Sequence, residues 1–167
     1  MRPHQLGRPR LAPGQEWVWD YPRPPRLERS TRLVRAQFGG REIARSTHCW
    51  RVLETSHPPI FYIPRQDVAM DALRPSASMR YCEWKGVATY YDLAVGERLS
   101  KRAAWTYESP LSDYVELAGA IAFYPGRLDA AYVDDERATP QPGDFYGGWV
   151  TSELVGPFKG SPGTENW

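Results

Sequence analysis

The stretch MRYCEWKGVATYYDL (residues 79–93) is the longest β-rich run of the chain. Its many β-branched and aromatic residues are typical of strands, and Gly86 predicts a bend between two of them. Neighbouring side chains alternate between the two faces of an ideal strand, so Cys82 and Lys85 should lie on opposite faces. We therefore expect two strands that carry a thiol and an amine close to the bend.

Shorter runs of the same character flank this stretch. A Gly-Gly pair at 39–40 separates two of them and is a hairpin signal. A Pro-Gly pair at 125–126 predicts a second hairpin between residues 120–124 and 128–133. The other predicted strands are residues 30–38, 41–44, 50–53, 60–63 and 97–106. The predicted fold is mainly β or α+β, with antiparallel sheets.

One clear short helix is predicted near residues 110–118. Ser109 is a suitable N-cap and Pro110 suits the first helical position, while Gly119 can end the helix. Residues 65–73 predict one or two further helical turns, because apolar and charged side chains alternate there at helical spacing. Helical structure is therefore expected to be a minor part of the fold.

Size and composition limit the possible functions. The 167 residues, 41% of them hydrophobic, suit one domain that needs no disulfide or metal for its core. A net charge of +1 does not favour general nucleic-acid binding. No apolar run approaches the roughly 20 residues of a membrane span, and no secretory signal is recognisable. Two cysteines, Cys49 and Cys82, cannot form a four-thiolate zinc site. We expect a cytoplasmic protein with free thiols and no bound metal.

The composition divides the chain into three parts. Residues 1–28 form a Pro/Arg-rich N-terminal arm with local polyproline character, which either packs on the domain or is disordered. Residues 29–136 form the β-rich domain, and residues 137–167 a Gly/Pro/aromatic C-terminal extension. The arm and the extension carry aromatic residues of a kind that anchors interfaces, namely Trp17, Trp19, Trp149 and Trp167.

Four segments of the chain together resemble one family. They are HPPIFYIPRQDV (57–68), MRYCEWKGVATYYDL (79–93), AAWTYESPL (103–111) and AIAFYPGRLDAAYVD (120–134). In their order and spacing they are similar to the bacterial and fungal family called domain of unknown function 427, over roughly residues 29–136. The tail FYGGWVTSELVGPFKGSPGTENW (145–167) resembles an extension of actinobacterial members.

The resemblance implies strongly bent antiparallel sheets of the β-tent type, similar to methionine sulfoxide reductase B and the yippee-type zinc proteins. It implies no established reaction, and the chain has neither a Gly-Ser nucleotidyltransferase signature nor a P-loop. Zinc-binding β-tent proteins use paired Cys-x-x-Cys knuckles, which are lacking here, so zinc is not carried over. The cofactor is unknown, and kinship of fold alone cannot supply a function.

The first candidate site centres on Cys82 and Lys85. A bulge near Gly86 would turn Lys85 toward the thiol, and a lysine beside a cysteine favours the nucleophilic thiolate. The alternative is that Cys82 is a small buried hydrophobic residue of a strand. The family resemblance covers both residues.

A second cluster falls at strand ends and in proline-containing loops, where binding groups commonly lie. His57 can act as a general base or acid, and Arg65 can clamp a carboxylate or a phosphate. Alternatively, Arg65 and Asp67 brace the helical turns while His57 bonds a loop carbonyl. The members of the cluster are Glu54, His57, Tyr62, Arg65 and Asp67.

Three aromatic residues complete the candidate site. Trp105 and Tyr107 share one face of a predicted strand, and Tyr90 lies within reach on another. Aromatic side chains around a few polar groups are typical of small-ligand pockets. Packing within an ordinary core explains the same residues without a ligand.

Two functions follow from these observations. The first is a small-molecule-binding domain, with the residue types of an enzyme in its pocket. There Cys82 or Lys85 would be the reactive group, His57 the proton carrier and Arg65 the anion clamp. The alternative is a non-enzymatic interaction module, in which the aromatic arm and extension cover a partner or a second copy of the chain. The sequence leaves the ligand, the reaction and the oligomeric state open.

Overall fold

The regular structure of this protein consists of short β-strands and 3-10 turns. The computed structural model describes Gln5 and residues 7–167, so residues 1–4 and 6 of the predicted arm lie outside the described part. No α-helix occurs in the described residues. The strands are β1 Glu16–Trp17, β2 Arg26–Arg29, β3 Val34–Phe38, β4 Arg41–Ser46, β5 Trp50–Leu53, β6 Ile60–Tyr62, β7 Leu73–Cys82, β8 Gly86–Val95, β9 Arg98–Thr106, β10 Ile121–Phe123, β11 Ala130–Val133, β12 Glu136–Arg137, β13 Thr139–Pro140, β14 Trp149–Val150 and β15 Leu154–Val155.

The longest strands form a four-stranded antiparallel sheet in the order β10-β9-β8-β7. The predicted bend at Gly86 is confirmed, because the chain turns there from β7 into β8. Gly86 has a φ of +107° and lies against the backbone of Ser109, so a side chain would be strained at this position. Register shifts within the β7–β8 and β8–β9 pairs bend the sheet, as β-bulges do.

Two further antiparallel sheets have the strand orders β12-β11-β3-β4 and β2-β5-β6. The predicted hairpin between β3 and β4 is confirmed, and it turns at Gly39 and Gly40, which both have positive φ. An isolated antiparallel bridge between Ile63 and Ile121 joins the sheet of β6 to that of β10. The prediction of a mainly-β fold of antiparallel sheets is therefore confirmed.

The hairpin predicted around Pro125-Gly126 is wrong. Strand β10 pairs with β9, whereas β11 pairs with β3 of a different sheet. Between them, the 3-10 turn Pro125–Arg127 carries the chain from one sheet to the other. A Pro-Gly pair changes the chain direction locally, and that property serves a crossing between sheets as well as a hairpin.

The helix predicted near residues 110–118 is present as the 3-10 turn Ser112–Leu117. No side chain caps this turn, so Ser109 does not have the predicted role of N-cap. Tyr114 within it has non-helical backbone angles (φ −124°, ψ 21°), and its hydroxyl donates to the carbonyl of Pro25 at 2.8 Å. Anchoring of this buried tyrosine is the physical reason that the segment does not continue as an α-helix.

Both outer parts of the chain pack on the domain. Strand β1 pairs in parallel with β15, with Glu16 opposite Leu154. Trp149 is fully buried, and its indole Nε1 donates to the carbonyl of Phe123 at 3.1 Å. No helix of the described residues has the length and apolar character needed to cross a membrane. The described arm and the extension are thus structural parts of the fold.

Candidate functional site

A cavity of about 490 Å³ opens between the β7–β8 hairpin, strands β5, β6 and β9, and part of the C-terminal extension. Eight of the ten candidate residues from the sequence line it. The polar ones are Glu54, His57, Cys82 and Lys85. The aromatic ones are Tyr62, Tyr90, Trp105 and Tyr107.

The aromatic wall of the cavity, which consists of Tyr62, Tyr90, Trp105 and Tyr107, is held in place by hydrogen bonds and ring contacts. The indole Nε1 of Trp105 donates to the hydroxyl of Tyr62 at 3.1 Å. The rings of Tyr62 and Tyr107 lie 6.2 Å apart, and that of Trp105 lies 4.6 Å from Tyr124. Because neighbouring β-strands fix their backbones, these rings form a rigid apolar surface along one side of the cavity.

The hydroxyls of Tyr62 and Tyr107 stay protonated at physiological pH. Burial raises the pKa of Tyr62 above its ordinary value. Burial, together with the neighbouring Tyr62, Cys82 and Tyr90, raises the pKa of Tyr107. Protonated hydroxyls can donate hydrogen bonds, so the wall offers donors as well as apolar surface.

Lys85 is the most unusual polar residue of the cavity. It belongs to the turn before Gly86, its carbonyl accepts from the amide of Leu111 at 2.9 Å, and it is only 6% exposed. Its Nζ lies 5.9 Å from the centre of the Tyr107 ring. Within the described part of the chain, this amine forms no ion pair or hydrogen bond. Lys85 lines the cavity, so an anion bound there could supply the partner that its amine lacks.

His57 is fixed in one tautomer by a buried glutamine. Gln141 accepts from the amide of Gly148 through Oε1, and its Nε2 donates to the carbonyl of Lys159. The same Nε2 lies 3.0 Å from Nδ1 of His57. Nδ1 must therefore be the acceptor, and the proton resides on Nε2. This nitrogen points toward Oε2 of Glu54 at 3.5 Å.

The environment of His57 favours its neutral form. Burial, followed by the charges of Lys159, Arg23 and Lys85, lowers its pKa to about 3, against the opposing hydrogen bond from Gln141. At neutral pH, His57 is thus an uncharged donor directed toward Glu54.

The carboxylate of Glu54 is shared between two partners. Arg23 of the N-terminal arm lies 3.3 Å from the same Oε2 atom that His57 approaches. The arm therefore supplies the counter-ion for the carboxylate, which leaves Glu54 less able to neutralise Lys85 across the cavity.

The two cysteines lie in different surroundings. Cys82 ends β7, is partly exposed and lines the cavity. Cys49 is completely buried, and burial raises the pKa of its thiol to about 12. Among the described residues, no group of three or more His, Cys, Asp or Glu side chains is close enough to hold a metal ion.

Arg65 and Asp67 are not brought to the cavity with the other candidates. Arg65 donates to the carbonyl of Gly119 at 3.0 Å and pairs with Glu108 at 2.7 Å. Asp67 accepts from the hydroxyl of Ser46 at 2.6 Å. These contacts connect the 3-10 turn Arg65–Asp67 to neighbouring segments, and neither side chain lines this cavity.

Several residues that line the cavity, and Gln141 that supports His57 from behind, were missed from the sequence. Arg80 lies two positions before Cys82, so strand alternation could have placed it on the same face. Gln141, Phe145 and Tyr146 belong to the extension, and only the aromatic richness of that segment signalled a role in packing. Tyr146 contacts the His57 ring edge-on, with the ring centres 4.6 Å apart.

The tryptophans that suggested an interaction module are largely engaged within the chain. Trp17 is 7% exposed and Trp149 is fully buried. The rings of Trp19 and Trp167 pack against each other with their centres 5.3 Å apart. Among the described residues, the large exposed hydrophobic side chains lie elsewhere, for instance at Met79.

Comparison with known proteins gives a family but no characterised relative. None of the curated proteins matches the chain. The family described as domain of unknown function 427 matches residues 26–134, which is more than half of the 167 residues and contains β2 to β11. This chain therefore belongs to the domain of unknown function 427 family.

Proposed function

We propose that this protein binds a small anionic molecule that carries a flat ring, with the anion at Lys85 and the ring against the aromatic wall. The observation that carries the proposal is the amine of Lys85, a largely buried residue of the cavity lining, which has no anionic partner in the described part of the chain. A carboxylate or phosphate would supply that partner and accept charge-assisted hydrogen bonds from it.

The charges around the cavity support an anion rather than a cation. Arg80 also lines the cavity, and its guanidinium group lies over the ring of Phe145 at 3.6 Å. The carboxylate of Glu54 is engaged by Arg23, and Glu83 is exposed to solvent. The neutral His57 adds no charge, and its Nε2 is directed toward Glu54. An anionic group in the cavity thus meets Lys85 and Arg80 as its cationic partners.

The shape and lining of the cavity support a flat ring. Its volume of about 490 Å³ falls within the range of small-ligand sites. Trp105, Tyr90 and Tyr107 offer rigid faces on which a ring can stack, and stacking adds affinity beyond the burial of apolar area.

Binding can be tested with simple probes. Phenyl phosphate and benzoate carry a ring and an anion, whereas benzyl alcohol carries the ring alone. We expect the two anions to quench Trp105 fluorescence on binding. The substitution Lys85→Met should weaken their binding by about tenfold or more, because a charge-assisted bond is lost. Lys101→Met is the matched control, since Lys101 is exposed on β9.

Three results separate this proposal from others. Equal binding of benzyl alcohol and the anions would contradict the assigned role of Lys85. Equal loss in Lys85→Met and Lys101→Met would point to general attraction by surface charge. Urea denaturation of Lys85→Met checks the fold, and we expect no loss of stability, because the amine of Lys85 forms no ion pair or hydrogen bond within the described residues.

Covalent chemistry at Cys82 is a second candidate function. It is favoured by the position of the thiol in the cavity, beside the protonated hydroxyl of Tyr107. In the test, the sulfur attacks the carbonyl of 4-nitrophenyl acetate, 4-nitrophenolate leaves, and the acetyl group stays on sulfur. We expect the adduct in the wild type and in Cys49→Ala, and none in Cys82→Ser. An adduct level in Cys82→Ser equal to the wild type would exclude this chemistry.

The interaction module and the cellular location stay predictions. Aromatic residues of the arm and the extension contact each other and the domain, so a partner would have to bind other surfaces. Two free cysteines suit a reducing cytosol, which is the location we propose. Size-exclusion chromatography at several protein concentrations tests for a second copy of the chain, and a constant monomer mass would remove the homo-oligomer.

A further inference from the structure

We propose that residues 142–148, here called the C-terminal wall, determine the size of the ligand that the cavity admits. This inference rests on the proposed function, because it assigns specificity to the same cavity. The wall contributes Phe145, Tyr146 and Gly147 to the lining. It lies outside residues 26–134, the part of the chain that matches the family.

The base of the wall is pinned by one buried residue. Gln141 is 1% exposed, and its amide donates to the carbonyl of Gly148 at 3.0 Å. Its side-chain Oε1 accepts from the amide of Gly148 at 3.1 Å. These two bonds close the loop between positions 141 and 148, and the bond from Gln141 to His57 ties the closed loop to the cavity.

Gly147 and Gly148 let the backbone of the C-terminal wall pack closely against its neighbours around the cavity. A side chain at Gly147 would collide with the indole ring of Trp105, and one at Gly148 would collide with Gln141 and Pro58. The backbone therefore lies directly on the aromatic wall, with no room between them. The backbone of Gly147 therefore forms the boundary of the cavity on the side of Trp105.

The outer part of the wall reaches across the cavity toward the β7–β8 hairpin. Phe145 is 54% exposed, and the guanidinium group of Arg80 on β7 covers its ring at 3.6 Å. Tyr146 packs edge-on against both His57 and Phe145. Two aromatic side chains thus bound the cavity opposite the hairpin, and their volume limits how far a ligand can extend.

Substitutions at the base of the C-terminal wall and in its outer part should differ in their cost to the stability of the fold. Gly147 and Gln141 hold the backbone, so changes there would disturb packing. Phe145 is half exposed, so replacing it removes volume at little cost to the fold. Removal of this volume would leave more room at this edge of the cavity for a ring system larger than one aromatic ring.

The test compares phenyl phosphate with 2-naphthyl phosphate, which carries the same anion on a larger ring. In the wild type, we expect phenyl phosphate to bind more tightly. Phe145→Ala should strengthen 2-naphthyl phosphate binding about fivefold or more, because the second ring becomes buried. Binding of phenyl phosphate should change less than that of 2-naphthyl phosphate, so the ratio of the two affinities is the readout. Phe158→Ala is the matched control, since Phe158 lies in the same extension but packs beside Tyr21 and Leu53.

An unchanged preference in Phe145→Ala, with both phosphates bound, would overturn the role of the wall and leave the proposed function intact. Failure of the wild type to bind either phosphate would overturn the proposed function instead. In that case, alkylation of Cys82 by iodoacetamide and by the bulky N-(1-pyrenyl)maleimide still tests the wall. If Phe145→Ala speeds the reaction of Cys82 with N-(1-pyrenyl)maleimide but not with iodoacetamide, the result supports the role of the C-terminal wall. Any other result, including no reaction, overturns that role.

Discussion

Two hydrophobic clusters of this protein differ in their composition and in their surroundings. The aliphatic cluster lies between the sheets, is built largely of Val, Ala, Ile, Leu and Phe side chains, and contains Cys49. The aromatic cluster contains tyrosines and Trp105 besides Val, Leu and Ala side chains, and the partly exposed Cys82 packs against it. Cys49 is fully buried within the first, whereas the second borders the cavity of about 490 Å³.

The difference arises from the side chains themselves. Branched aliphatic side chains are small enough to interdigitate, and they fill space to the density of a crystal. Aromatic rings are large and flat, and a tyrosine hydroxyl needs a hydrogen-bonding partner when it is buried. The bond between Trp105 and Tyr62 meets that need at 3.1 Å. The aromatic cluster can therefore border an open space while the polar groups of Trp105 and Tyr62 stay hydrogen-bonded. The aliphatic cluster contributes to the stability of the fold through close packing.

The strongest test of this comparison uses one cysteine in each cluster. Cys82 should react with iodoacetamide in the folded protein, whereas Cys49 should react only after global unfolding. For a typical domain stability of about 5 kcal/mol, unfolding protects a thiol by more than about a thousandfold. Mass spectrometry of separate peptides gives both rates, and 8 M urea is the control in which they should converge. Similar rates without urea would mean that the aliphatic cluster is not closed.

Substitutions in the two clusters should differ in cost. Leu93→Ala empties part of the aliphatic cluster, where Leu93 is fully buried, and should destabilise the protein by about 3 kcal/mol. Tyr107→Phe removes only a hydroxyl that borders the cavity, and we expect a change of about 1 kcal/mol or less. Urea denaturation measures both. Equal costs would show that the aromatic cluster is packed as tightly as the aliphatic one.

The smallest expected effect is a pH dependence at the edge of the aromatic cluster. The pKa of His57 is lowered to about 3 in the folded state, from 6.5 when unfolded. The unfolded chain thus binds the proton first, so this contribution to stability is complete above pH 6.5 and is lost as the pH falls toward 3. Between pH 6.5 and 5, the loss should be at most about 2 kcal/mol.

The variant His57→Gln isolates this contribution. It should lose less stability than the wild type when urea denaturation is compared at pH 7 and pH 5. His48→Gln is the control, because His48 is exposed. If His57→Gln and the wild type lose the same amount, the buried imidazole does not control this pH range.

Much of the β-structure could be predicted because its signals are local. Alternating side chains and Gly86 define the β7–β8 pair, and the two glycines at 39–40 define the β3–β4 hairpin. The link at 125–126 could not be assigned in this way. Strand β10, before the link, pairs with β9, whereas β11, after it, pairs with β3 from much earlier in the chain. A Pro-Gly pair does not indicate which sheet receives the next strand.

The site was partly predictable for the same reason. Residues at strand ends near the hairpin, such as His57 and Lys85, fall together once the sheets form. Arg65 follows β6 as closely, but its guanidinium group turns toward the carbonyl of Gly119. Gln141 lies 84 residues from His57, and no local pattern reports a hydrogen bond across that distance.

The burial of Trp149 also has a consequence for synthesis of the chain. Residues 26–134 leave the ribosome before this tryptophan does, and domains generally fold as units from the N-terminal side during translation. Trp149 is fully buried in the aliphatic cluster, between residues made much earlier. Until it emerges, the nascent domain holds an indole-sized void and an open cavity, so it should interact with chaperones for longer than its strand pattern alone would suggest.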